Sequence, residues 1–227
     1  MTNTHKVITV GLMSVLLGMF GCDRKSIEQK FNAKPTFEEQ LETFKHLGFI
    51  LNPGIDTADI TRWAGGHKEF EDHPYQLMYQ ALGSINELEP WISLTNRCWD
   101  FDLEAIEDHG AYVYIMENIS RITNGDLVFK DIQDYVDIEE GKAWVSFTCN
   151  GDNYKWDLRV DDDWTDGELF DKVQALAQKY KTNGKFTFFN TGGQDFVLGY
   201  HTPEELEKIR KATGLDIVWL KAEGQIY

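Results

Sequence analysis

The sequence lacks the short motifs that mark most hydrolases, nucleotide-binding enzymes and zinc proteins. It contains no Gly-x-Ser-x-Gly, no glycine-rich phosphate loop, no His-Glu-x-x-His and no paired Cys-x-x-Cys. Cysteine itself is scarce, with three residues in the chain, and no histidine lies near Cys98 or Cys149 in sequence. These absences argue against nucleophilic, nucleotide-dependent and zinc chemistry. We therefore predict no cofactor and no metal.

Positive charge is also in short supply. The chain has 22 Lys and Arg against 38 Asp and Glu, which gives a formal net charge of −16. Nucleic acid and anionic lipid surfaces are negatively charged, so the acidic chain would repel them. This repulsion acts over a Debye length of ~8 Å at physiological salt. We predict that the partner is a basic protein and that the chain has no nucleic-acid partner.

The N-terminal apolar run is too short to cross a membrane. It covers residues 7–20 and, as a helix with a rise of about 1.5 Å per residue, would span roughly 21 Å of a hydrocarbon core that is ~30 Å thick. A single cation, Lys6, precedes the run, and Gly21-Cys22 follows it. This order is typical of an export signal peptide.

The block Met19-Phe20-Gly21-Cys22 resembles the cleavage box of bacterial lipoprotein precursors. That family usually has leucine where Met19 stands and a small residue where Phe20 stands. The resemblance implies removal of residues 1–21 as a signal peptide and acylation of Cys22, which becomes a membrane anchor. An ordinary secretory signal and an uncleaved anchor are the alternatives.

The same resemblance implies a location in the bacterial cell envelope, facing the periplasm, and Asp23 favours the inner membrane. Residues 22–35 would then be the lipidated cysteine with a polar tether. Removal of residues 1–21 takes away Lys6 alone among the charged residues, so 21 cations would face 38 acids at a net charge of −17. Residues 36–227 are predicted to form a single acidic globular domain.

Alternating apolar residues predict strands in the second half. Residues 143–149 and 154–160 flank Asn150-Gly-Asp-Asn153 and predict a hairpin, and residues 185–190 and 195–200 predict another. A further strand is expected within residues 127–138, and a last one at residues 216–220. Two helices are expected, the first over residues 166–180 after a capping box at Thr165 and the second from Thr202-Pro203 to Gly214.

The first half is predicted to be mostly helical. Helical spacing of apolar residues predicts helices that begin at Thr36, over residues 74–82 and over residues 111–122, with residues 50–72 irregular. The expected fold class is α+β: a helical part (residues 36–123) followed by an antiparallel or mixed sheet with two helices on one face (residues 124–227).

Acidic clusters with aromatic neighbours are the candidate binding residues. In a strand, Asp100, Asp102 and Glu104 would share a solvent-facing side, opposite Trp99. A second cluster contains Asp163, Trp164 and Asp166. The second cluster is no EF-hand, since Trp164 would occupy a ligand position.

The segments Trp99-Asp-Phe-Asp-x-Glu104 and Asp163-Trp164-x-Asp166 resemble parts of uncharacterised bacterial proteins grouped with immunity proteins of secreted toxins. The resemblance implies a non-catalytic protein-binding module, in its sharpest form an immunity protein. The alternative is an envelope hydrolase that uses clustered carboxylates, with or without a metal ion, in which Asp100, Asp102, Glu104 and His109 would converge in a deep pocket.

The two cysteines of the domain allow two outcomes. An oxidising compartment permits a disulfide between Cys98 and Cys149, and two buried free thiols are the alternative.

Overall fold

The computed structural model describes residues 34–86 and 88–220. The predicted signal peptide, Cys22 and nearly all of the predicted tether therefore lie outside the described residues. The helices of this part are α1 (Phe37–His46), α2 (Thr57–Ala64), α3 (His67–Asp72), α4 (Gln76–Gly83), α5 (Ala111–Ile122), α6 (Glu168–Lys179) and α7 (Pro203–Thr213). None of these helices is long and apolar enough to cross a bilayer.

The strands are β1 (Cys98–Asp102), β2 (Phe129–Asp137), β3 (Lys142–Cys149), β4 (Asp152–Leu158), β5 (Lys185–Asn190), β6 (Asp195–His201) and β7 (Val218–Trp219). They form two antiparallel sheets, one in the order β1-β6-β5-β7 and the other in the order β2-β3-β4. The α+β class and the antiparallel pairing are confirmed. The expectation of one sheet is wrong, because β2–β4 pair only among themselves and β1 joins the other sheet.

The four-stranded sheet separates two hydrophobic cores. In β6, Phe196 and Leu198 face one core and Val197 faces the other, as the alternation of side chains along a strand requires. The core that includes Val197 is completed by α1–α4 and α7, and the core that includes Phe196 is completed by α5, α6 and the three-stranded sheet.

The expectation that two helices share one face is therefore wrong. Helix α6 buries Phe170 in one core, whereas α7 buries Ile209 in the other. Each helix carries an apolar stripe of the same kind, and such a stripe does not specify which face of a sheet the helix covers.

Local sequence signals explain most of the element boundaries. The Thr36 hydroxyl accepts a hydrogen bond from the Glu39 N–H (3.2 Å) while the Glu39 carboxylate accepts one from the Thr36 N–H (3.0 Å), which is a complete capping box. Thr202 and Glu205 repeat this arrangement at the start of α7. Asn150-Gly151, both with positive φ, form the tight turn between β3 and β4.

Two predicted boundaries fail. Residues 50–72 contain α2 and α3 instead of an irregular segment, and Ile60 and Phe70 are fully buried there. The predicted capping box at Thr165 is also wrong. Helix α6 begins at Glu168, and the Asp166 carboxylate accepts the Glu168 N–H at 3.1 Å.

Candidate functional site

Two of the predicted binding segments meet in the structure. The Ile106 N–H donates to the Asp163 carbonyl at 2.9 Å, and the Thr165 N–H donates to the Leu103 carbonyl at 2.8 Å. Glu104 and Trp164 pair as an isolated antiparallel bridge between these bonds. The pairing therefore brings acids from the two sequence clusters to one place.

A tight loop presents Trp164 to solvent. Asp162 has a φ of 52°, and the Trp164 N–H folds back to donate to the Asp161 carbonyl at 3.1 Å. Trp164 is 39% exposed and therefore offers aromatic surface to solvent.

The turn between β5 and β6 completes the site. The Gln194 side-chain nitrogen donates to both the Asp102 carboxylate (2.9 Å) and the Glu104 carboxylate (3.0 Å). The Gln194 side-chain oxygen, like any amide oxygen, can accept hydrogen bonds.

These segments enclose a cleft of about 380 Å³, which we call the Trp164 cleft. Its apolar lining residues are Leu103, Trp164, Phe188 and Phe196, and its polar lining residues are Arg159, Asp161, Thr165, Asn190, Gln194 and Asp195. The volume is at the low end for ligand sites, which suits one side chain or a small molecule better than an extended polymer.

Negative charge dominates this surface. Six acids line or adjoin the cleft: Asp102, Glu104, Asp161, Asp162, Asp163 and Asp195. Arg159 is the single Lys or Arg among the described residues that line it. Its guanidinium lies 3.6 Å from the Asp161 carboxylate, and both side chains are at least 65% exposed, so this ion pair contributes little.

Two of the predicted binding residues are buried and support the fold instead. Trp99 is 3% exposed and packs in the core with α6. Asp166 is 4% exposed, and its carboxylate accepts the N–H groups of Arg159 (2.9 Å) and Glu168 (3.1 Å). Neither side chain is available to a partner.

Asp100 does not lie on an exposed acidic side, contrary to the prediction. One carboxylate oxygen accepts the Ser84 hydroxyl at 3.2 Å, and the other is buried without a hydrogen-bond partner. Burial, reinforced by the nearby Asp195 carboxylate, raises the pKa of Asp100 to about 7. Helix α4 can approach this closely because residue 83 is glycine, where a Cβ would lie 2.6 Å from the Asp100 nitrogen.

His109 lies apart from Asp100 and the Trp164 cleft. Its ring contacts the Asp108 carboxylate at 2.8 Å and packs edge-on against Tyr135 of β2. Asp134, also in β2, accepts the N–H groups of Gly110 and Tyr112 and so caps α5. Over residues 34–86 and 88–220, no three His, Cys, Asp or Glu side chains converge as metal ligands.

Cys98 and Cys149 are free thiols that lie in different cores. Burial raises the pKa of Cys98 to about 12 and that of Cys149 to about 11. Of the two predicted outcomes, the structure has the buried thiols and not the disulfide.

A second polar cluster is buried behind the four-stranded sheet. His201 is fully buried, and its two ring nitrogens lie 3.5 Å from the Tyr79 hydroxyl and 3.4 Å from the Arg97 guanidinium. Arg97 also binds the Glu205 carboxylate at 2.8 Å. Burial, with a further contribution from Arg97, lowers the pKa of His201 to about 3, so the ring is neutral at physiological pH. This network joins α4, β6 and α7.

Sequence patterns did not indicate most residues of the cleft, among them Gln194, Thr165 and Arg159. Gln194 belongs to a hairpin turn, Thr165 was assigned to a helix cap, and Arg159 stands at the end of an alternating strand. They come together through contacts between distant segments, so no local spacing could have selected them.

Comparison with known proteins gives no relative. The chain matches no protein-family model, no curated protein and no solved structure.

Proposed function

We propose that this protein is a membrane-anchored lipoprotein of the bacterial cell envelope that acts as a non-catalytic module for binding a basic protein. The main support is the Trp164 cleft, which six acids line or adjoin and which an exposed tryptophan and a single arginine also line. A surface of this charge attracts a cationic partner over long range and rejects acidic ones, which speeds correct encounters.

Anchoring is proposed from the sequence. Cys22 would carry the acyl chains, residues 22–35 would form the tether, and residues 36–227 would face the periplasm from the inner membrane. At ~0.8 kcal/mol per buried methylene, two or three chains hold a protein stably. The intact mass of the membrane-extracted protein should show acyl groups that Cys22→Ser removes. A mature mass without acyl groups would contradict the anchor.

The protein-binding role can be tested by capture from native envelope extract. The full chain, tagged at its C-terminus and solubilised in detergent, should retain a basic protein and release it as salt rises, because screening weakens contacts between exposed charges. Capture that is insensitive to salt would contradict the proposal, as would failure to retain any basic protein.

A matched pair of variants locates the binding surface. Asp102→Asn with Glu104→Gln removes two charges beside the cleft and should reduce capture. Glu139→Gln with Glu207→Gln removes two exposed charges elsewhere and should not. Equal loss in both pairs would mean that overall charge, and not the cleft, attracts the partner.

An immunity protein against a secreted toxin is the narrower version of this proposal. It is supported by the resemblance of the segments that contain Glu104 and Trp164. A toxin-like gene beside this one would identify the partner. Cells that express the chain should then survive that toxin, and cells that express the Asp102→Asn and Glu104→Gln variant should survive less well.

The alternative role as an envelope hydrolase has one observation in its favour. The raised pKa of Asp100 is typical of acids that transfer protons. Against it, the unpartnered oxygen of Asp100 is buried and His109 lies elsewhere, so the four residues expected to form a pocket do not converge. The binding role is therefore the better supported.

A further inference from the structure

One buried hydroxyl in the Trp164 cleft has no hydrogen-bond partner. Thr165 is 5% exposed, lines the cleft, and its side-chain oxygen is shielded from solvent without any bond to the described residues. Proteins rarely leave a buried hydroxyl unpaired, because the lost hydrogen bond to water is not replaced. An unpaired group at this position is therefore an indication of a ligand, which the hydroxyl would reach by rotation of the Thr165 side chain between staggered rotamers.

Other residues that line the cleft carry further acceptors. Asp195 uses one carboxylate oxygen to accept a hydrogen bond from the Gln80 side chain at 3.0 Å, and its second oxygen is a further acceptor. That second oxygen lies on the side of Gly193, which also lines the cleft. Together with the Gln194 side-chain oxygen, this gives acceptors on more than one wall.

The apolar walls favour a flat cationic group. Trp164 and the neighbouring phenylalanines of β5 and β6 provide aromatic surface beside these acceptors. A guanidinium is planar, carries five N–H donors and stacks on aromatic rings, whereas an ammonium is a compact and strongly hydrated charge. Acceptors on several walls next to a tryptophan therefore match arginine better than lysine.

We propose that the Trp164 cleft binds an arginine side chain of the partner protein, with Trp164 against the guanidinium and Thr165, Gln194 and Asp195 accepting its hydrogen bonds. This inference rests on the proposed function and narrows it from a basic partner to one that inserts arginine. Arg159 lines the same cleft, 3.6 Å from the Asp161 carboxylate, so its positive charge opposes an incoming cation.

Short peptides test the chemistry directly. The full chain in detergent, labelled with 5-fluorotryptophan, is titrated with acetyl-Gly-Arg-Gly-amide, its lysine counterpart and its citrulline counterpart, and followed by fluorine NMR. Trp164→Phe assigns the Trp164 resonance, and Trp91, which is 72% exposed, serves as the surface control. The arginine peptide should shift the fluorine resonance of Trp164 and no other. It should do so at concentrations at least about fivefold lower than those at which the lysine peptide does. The citrulline peptide, which is uncharged, should have no effect.

Variants separate this site from general attraction to acids. Thr165→Val changes no charge and should weaken arginine binding by about three- to tenfold through loss of one hydrogen bond. The unfolding midpoint should not fall, since a methyl replaces an unpaired hydroxyl. Thr165→Ser keeps the hydroxyl and should bind the arginine peptide as tightly as the unsubstituted chain. This variant keeps the test valid if the valine variant folds poorly. Arg159→Gln should tighten binding by about twofold or more, because it removes a like charge.

Two results would overturn the proposal. One is equal binding of the arginine and lysine peptides at the cleft, and the other is unchanged arginine binding in well-folded Thr165→Val. Failure here can be told apart from failure of the proposed function. If a basic protein is captured in a salt-sensitive way and Thr165→Val does not change that capture, the binding role is supported and the arginine site is contradicted. If the arginine peptide binds at the cleft but no basic protein is captured, the arginine site is supported and the protein-binding role is contradicted.

Discussion

The acids that cap the starts of α5, α6 and α7 differ from those around the Trp164 cleft in the groups that they bind. Asp134, Asp166 and Glu205 accept backbone N–H groups at the starts of helices, and Glu205 also binds Arg97. Asp102 and Glu104 are exposed and are joined to each other by Gln194. The first group stabilises the fold, and the second leaves negative charge on the surface. An acidic cluster in sequence thus contains two kinds of acid that only the structure separates.

The largest effect is expected where a fold-supporting acid caps a helix. Asp134→Ala removes the acceptor of the Gly110 and Tyr112 N–H groups at the start of α5, and should lower the free energy of unfolding by roughly 2–3 kcal/mol. Urea denaturation measures this loss. Glu139→Ala, which changes an exposed acid near the next turn, is the control and should have almost no effect.

The two capping boxes provide an internal comparison of the same residue type. Glu205→Ala should lower the free energy of unfolding by about 2 kcal/mol, because it also leaves the half-buried Arg97 without its carboxylate. Glu39→Ala removes only the capping bond in α1 and should lower it by about 1 kcal/mol or less. Equal losses would mean that Arg97 contributes nothing to the difference.

Asp100 belongs to neither group, and its replacement should raise the free energy of unfolding instead of lowering it. Its pKa of about 7 in the folded chain lies above the unfolded value of 3.8, so the folded state holds its proton more tightly. The free energy of unfolding should therefore fall as pH rises from about 4 to 7 and stay low above that range. Asp100→Asn should increase stability by roughly 1–2 kcal/mol at pH 8 and by much less at pH 4.

Denaturation at the two pH values checks the sign of the Asp100 effect. Asp102→Asn, two residues along the same strand and exposed, should show no such dependence. A gain for Asp100→Asn that is equally large at pH 4 would show that packing, and not the buried charge, causes it.

The smallest effect is expected at the cleft. Asp102→Asn with Glu104→Gln should change the free energy of unfolding by less than about 0.5 kcal/mol, because exposed acids away from caps and cores contribute little. Thermal denaturation of this variant and of Asp134→Ala, measured together, compares the contribution of the cleft acids to stability with that of a helix-capping acid. A loss of stability as large as that of Asp134→Ala would show that the acids beside the cleft stabilise the fold as much as the helix-capping acids do.

Local sequence signals predicted the elements that they control. Helix α5 was expected over residues 111–122 and is found there, because its apolar residues repeat with the period of a helix. The β3–β4 hairpin follows from Asn150-Gly151, whose positive φ values suit a tight turn. The capping boxes at Thr36 and Thr202 likewise mark helix starts.

Features that depend on distant contacts were missed or misplaced. The short helices α2 and α3 depend on burial of Ile60 and Phe70, which sequence spacing alone does not reveal. Asp100 was placed on an exposed side because the close approach of α4 at Gly83 cannot be read from the strand itself. The cleft requires pairing of residues 103–106 with residues 163–165, and no local rule predicts that register.

The position of the four-stranded sheet between two cores has a consequence for the order in which the chain folds. The N-terminal helices have no sheet to pack on until β5 and β6, residues 185–201, have been made. The other core also waits for these strands and for Leu220. Neither half can therefore complete its core ahead of the other. We expect the chain to stay open until residues 185–220 are available and then to fold in one cooperative step governed by contacts between distant residues.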